Sequence, residues 1–138
     1  MKIEEQVLSR EQMKHLQDLG VDTTDASMAY YNISRDNQPE KWILGIANKE
    51  VATVMLSNGI TEMEPTYTIG DLIEKLPKQI GWYKLSFCWE NECVEYENRI
   101  SEEVTDYIGD FNFGNRPLIE ALYDCLCWVA ENHKKLIR

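Results

Sequence analysis

The sequence predicts an α+β fold: a mostly antiparallel sheet of four to five strands, packed by a long C-terminal helix and by shorter N-terminal and middle helices. Three observations carry that expectation. Two pairs of β-rich segments are each joined by a short polar stretch, and the C-terminal segment carries an apolar stripe at helical spacing. Neither a βαβ alternation nor a glycine-rich phosphate loop occurs, which argues against a nucleotide-binding α/β fold. The chain has 138 residues, the common size of one domain, and is read as a single unit over residues 1–138.

The first helix is written into VLSREQMKHLQDLGV. Ser9 caps its start and Gln12 returns the bond, with Leu8 and Met13 at the staple positions. Gly20 supplies a left-handed end and Val21 closes onto Leu16, so the spacing predicts a helix over residues 10–19. The segments ASMAYYNI and KWILGIA then read as an antiparallel hairpin around the turn residues Asp36, Asn37 and Pro39. Residues 49–63 admit two readings. Asn48 offers a helix cap and Gly59 an end, which favours a short helix, whereas Asn58-Gly59 is also a hairpin turn signal. Farther on, Thr68 and Asp71 form a second capping box, Tyr67 and Leu72 a staple, and Pro77 ends a two-turn helix near Leu76, with KQIG as a following turn.

GWYKLSFCWE and ECVEYENRI form the second hairpin. With Glu90-Asn91 as a two-residue turn, facing residues have numbers that sum to a constant. Leu85 then faces Tyr96, Phe87 faces Val94 and Trp89 faces Glu92 on an apolar side. Lys84 faces Glu97, Ser86 faces Glu95, Trp82 faces Arg99 and Cys88 faces Cys93 on a polar side, adding an opposite-charge pair and a cation–π pair. Tyr107, Phe111 and Phe113 suggest a fifth strand with Ile108 and Asp110 on its other face. The last helix, capped by Asn115, buries Leu118, Leu122, Cys125, Val129 and Leu136, flanked by Ile119 and Leu126, and places Lys134 and Lys135 in its last turn.

Function is less legible than fold. Cys88 and Cys93 are close enough for a redox pair or for two metal ligands. Cys125 and Cys127 point in different directions on one helix and supply no further ligand to the pair, so no metal or cofactor is expected. Cys127 and Trp128, beside Glu120, Asp124 and Glu131, mark a candidate contact surface, where the carboxylates should raise the Cys127 thiol and spoil it as a nucleophile. His15 and His133 belong to no recognisable catalytic arrangement. The balance of 24 acidic against 14 basic side chains, net −10, works against direct nucleic-acid or membrane binding and suits a basic protein partner. Self-association is compatible with the sequence but not predicted by it. No apolar run reaches membrane length and the N-terminus has no apolar secretion segment, so the expected location is the cytoplasm, with reduced thiols.

At SREQMKHLQDLGVDTTDASM, PTYTIGDLIEKLP and ALYDCLCWVAEN the chain resembles small uncharacterised proteins carried by phages and other mobile elements of gut anaerobic bacteria. That resemblance implies a bacterial cytoplasmic setting and an accessory role, with modulation of a host protein among its forms. It carries no assigned activity. The expectation is therefore a non-enzymatic accessory or protein-binding domain with an acidic contact surface. The alternative is a small hydrolase or thiol-redox enzyme with a site assembled across the fold.

Overall fold

The computed structural model describes residues 2–35, 37–60 and 62–138. Local signals set most of its helices. Helix α1 spans Arg10–Asp18, with the Gln12 amide donating to Ser9 Oγ at 3.1 Å and the Ser9 amide donating to Gln12 Oε1 at 2.9 Å. Gly20, at φ 89°, ends it, and the Val21 amide donates to Leu16 O at 3.0 Å. That is the glycine-closed C-terminus the sequence implies. Helix α2 spans Lys49–Ser57 under an Asn48 cap and stops at Gly59, φ 87°. Here Asn58-Gly59 ends a helix and makes no hairpin. Helix α3, Ile69–Lys75, starts on the Thr68–Asp71 capping box.

The strands divide between two antiparallel sheets, so the two hairpins do not share one. Strands β1 (Met28–Asn32) and β2 (Trp42–Ile46) form the first hairpin. Asn37 lies in its connection at φ 66°, whereas Asp36, assigned to the same turn, lies outside the described residues. Strand β3 (Met63–Thr66), which local pattern did not announce, pairs with the other edge of β1. Pro65 is tolerated there because β3 is an edge strand. The second sheet has the order β4-β5-β6-β7, with β4 at Gln79–Ile80, β5 at Tyr83–Cys88, β6 at Cys93–Arg99 and β7 at Thr105–Asn112.

The β5–β6 register runs from Lys84↔Glu97 to Cys88↔Cys93, in agreement with the pairing read from apolar alternation. The turn differs. Pairing stops at the cysteines, and residues 89–92 form a loop closed by Glu92 at φ 51°, so Trp89 leaves the ladder and lies against Phe87 and Phe113. Trp82 also lies outside the paired residues, 81% exposed in the turn before β5. Arg10 over Trp42, 3.8 Å from the ring centroid, supplies a cation–π contact elsewhere.

A bulge corrects the reading of β7. Tyr96 pairs with Gly109 but Glu97 pairs with Tyr107, leaving Ile108 as the extra residue. One inserted residue reverses the alternation. Tyr107 therefore joins Glu97 on the polar face, while Ile108 and Phe111 both pack on the core.

Helix α4, Leu118–Asn132, lies across the apolar face of this sheet. Its cap position is Pro117, not Asn115, and no side chain caps it. Pro117 is extended at ψ 144°, so the helix begins just after the proline, beyond the reach of Asn115. The helix also ends earlier than its stripe suggests: Lys134–Leu136 form a separate 3-10 turn, and Leu136 is 44% exposed. Ile119, Leu122, Cys125, Leu126 and Val129 are fully buried against Val94, Tyr96, Leu72 and Leu16. The Tyr96 hydroxyl donates to Pro77 O at 2.8 Å, avoiding the ~1–3 kcal/mol penalty of an unpaired buried polar group.

Candidate functional sites

Two regions stand outside this core. The first lies on the four-stranded sheet, on the face turned away from α4. Val94 and Tyr96 point into the core, so the alternating Cys93 and Glu95 point the other way. On that face the ladder sets Cys88, Cys93 and Asn112 in one row, and Ser86, Glu95 and Asp110 in the next. Lys84, Glu97 and Tyr107 form the third row.

Ligand atoms of Cys88, Cys93 and Glu95 all lie within 4.8 Å of one another. The Cys93 thiol donates to Glu95 Oε2 at 3.3 Å. Although they sit on the outer face, both residues are buried, at 4% and 6% exposure, on a central strand flanked by β5 and β7. A cleft of about 320 Å³ opens onto them, lined by Asn91, Cys93, Glu95, Tyr107, Asp110 and Asn112.

The electrostatics follow from crowding acids in a dry place. Burial, then hydrogen bonding and charge from Glu95 and Asp110, push the Cys93 thiol up to about 12. Burial also raises the Glu95 carboxyl, with Glu97 and Asp110 adding to it against the opposing Cys93 hydrogen bond. Among the described residues Glu95 has no ion-pair partner. A thiol held protonated in this way is a poor nucleophile. Cys88 and Cys93 are free thiols, opposed as the register implies.

The other thiols do not join them. Cys125 is fully buried in the core, pushed up to about 12 by burial and then by Asp124. Cys127 is raised to about 11, in the expected direction, but burial outweighs the carboxylates Asp124 and Glu131. Its surroundings also differ from an open contact surface. Trp128 is half-buried, with ring centroids 6.0 Å from Tyr96, 5.8 Å from Phe111 and 5.2 Å from His133, and it rests on Gly109. Glu120 accepts from Gln12 Nε2 at 3.0 Å, and Asp124 pairs with Arg116 at 2.6 Å. Of the five residues assigned to that surface, Glu131 alone is exposed. His15 lies edge-on to Tyr123 at 6.3 Å, so both histidines rest on aromatic rings away from the thiol–carboxylate cluster.

The second region is the outer layer of the three-stranded sheet. One face of that sheet, with Tyr30, Trp42 and Glu64, turns to α1. There Arg10 binds Glu64 at 2.6 Å, and the Tyr30 hydroxyl donates to Leu8 O at 2.9 Å. The opposite face, with Tyr31 and Met63, carries α2, and no residue of α2 is buried. Val54 is 60% exposed, Leu56 62% and Met63 46%. Beside them Tyr31, Ala52, Met55, Leu56, Ile60 and Met63 line an apolar cleft of about 110 Å³, with Glu62 at its rim.

No helix among the described residues is long and apolar enough to cross a membrane. No protein-family model, curated protein or solved structure matches the chain.

Proposed function

We propose that this chain is a non-enzymatic, protein-binding accessory domain of a bacterial mobile element, acting in the cytoplasm through α2 and the adjoining cleft. The observation that carries the reading is the exposure of Val54, Leu56 and Met63 on one outer layer. A helix normally gains its stability by burying an apolar face, and α2 leaves part of its own in water. Charge selects the partner. The chain carries net −10, and Glu62 rims the cleft, so a segment with apolar anchors flanked by basic residues fits better than an acidic one.

Affinity capture from a lysate of the native host, with the wild-type chain and with Val54→Ser/Leu56→Ser, tests the reading. Both substitutions lie in solvent and should leave the thermal melt unchanged. The expected result is a discrete partner that weakens with added salt and is lost with the double variant. Capture of the same abundant proteins by both chains, insensitive to salt, overturns the proposal.

A further inference from the structure

We infer that Cys88, Cys93, Glu95 and Asp110 form a binding site for a thiophilic divalent cation, zinc being the best match, on the outer face of the four-stranded sheet. The inference stands on geometry independent of the α2 surface. Two thiols and one carboxylate from adjacent strands already converge within 4.8 Å. Tetrahedral zinc with bonds of about 2.3 Å to sulfur and about 2.0 Å to oxygen sets sulfur and oxygen about 3.5 Å apart. The Cys93 Sγ to Glu95 Oε2 distance is 3.3 Å. The Cys88 ligand atom, within 4.8 Å of the other two, closes in on the ion.

The fourth ligand comes from β7. Asp110 is the direct cross-strand partner of Glu95 and lines the same cleft as Cys93 and Glu95, so its carboxylate has to swing in to complete the set. Sequence spacing hid the full set, because Cys88 comes from β5, Cys93 and Glu95 from β6, and Asp110 from β7. The set has two sulfurs and two carboxylates, a composition that suits zinc and disfavours magnesium or calcium, which take oxygen ligands.

The surroundings ask for a cation. Glu95 and Cys93 are buried beside Asp110, Glu97 and the exposed Tyr107, with Lys84 alone supplying positive charge on this part of the ladder, opposite Glu97. The carboxylates Glu95 and Asp110, beside the Cys93 thiol on the ladder, are groups a divalent ion would bind. On entry the metal takes the thiolate and carboxylate electron pairs, and the displaced protons go to solvent.

Cobalt(II) titration of the reduced full-length chain reads the site directly. The expected result is one ion per chain, with thiolate-to-cobalt charge-transfer absorption and d–d bands of tetrahedral intensity, displaced by zinc but not by magnesium or calcium. Cys93→Ser should abolish the charge-transfer band. Cys127→Ser, on α4, should leave it unchanged. Asp110 is exposed, so Asp110→Asn should fold normally, yet weaken zinc in competition with a chromogenic chelator by more than the about 10–100-fold typical of losing an outer partner. A wild-type chain without the band, or a band that survives Cys93→Ser, overturns the inference. So does zinc affinity unchanged in Asp110→Asn with respect to the fourth ligand.

Discussion

Glu95 is where this protein departs furthest from ordinary burial rules. A carboxylate at 6% exposure, between Ser86 and Asp110 on neighbouring strands, is held toward its neutral form by burial and by the acids around it. The sign of its linkage follows. The folded chain keeps this proton to a higher pH than the unfolded chain does, so in the metal-free protein stability falls as pH rises from 4.5 through the raised folded-state value. Glu95→Gln should remove that loss: urea midpoints measured across this range should decline less steeply with pH than in the wild type. Equal slopes would show that Glu95 ionises freely. The facing groups are Cys88, Ser86 and Lys84 on β5, Cys93 and Glu97 on β6, and Tyr107 and Asp110 on β7. The polar side of the hairpin was legible from alternation alone. That two of its residues would be nearly inaccessible was not, because burial there depends on β7 lying alongside.

Among the elements, the helix starts were the most legible, since a cap is a contact between residues three apart. Ser9 and Gln12 close one such box around α1. Ser9→Ala should cost about 1 kcal/mol in urea denaturation, with little change in the denaturant slope. Gln12→Ala should cost more, because Gln12 Nε2 also holds Glu120 of α4 at 3.0 Å. Strand faces were legible only as far as the alternation was uninterrupted. The β5–β6 register followed from Leu85, Phe87, Val94 and Tyr96. In β7 the bulge at Ile108 reversed the faces, and nothing local in TDYIGDFN distinguishes a bulged strand from a regular one. Strand β3 escaped notice for a related reason: MEPT has a proline and no alternation, and it is a strand because the edge of β1 is there to pair with it. Asn115 failed as a cap because an extended Pro117 intervenes.

At the scale of the whole molecule the protein is two layers of unequal strength. The core joins α1, α3 and α4 to the four-stranded sheet, whereas α2 rests on the outer face of the three-stranded sheet with no buried residue. Local opening follows burial. Hydrogen exchange should therefore release the amides of Val54–Leu56 well before those of Val94 and Tyr96 in β6. Equal protection in the two regions would mean that α2 is held by more than its visible contacts. The acidic balance acts at this scale too, since a net charge of −10 sets a long-range field that attracts basic groups and repels acidic ones, and a bound cation on the sheet would reduce it locally.

By itself the sequence determined the α+β class, the capped helices α1 and α3, both hairpins and the opposition of Cys88 and Cys93. Each of these rests on interactions between residues near in the chain or related by a simple period. Tertiary structure alone decided that the strands divide between two sheets, that residues 49–57 are a helix, that Trp128 is packed while Val54 and Leu56 are exposed, and that Asp110 lines the cleft beside Glu95. The physical reason is that burial and convergence depend on which surfaces meet. Three-strand neighbourhoods, a single inserted residue and the covering of one helix face leave little trace in local spacing.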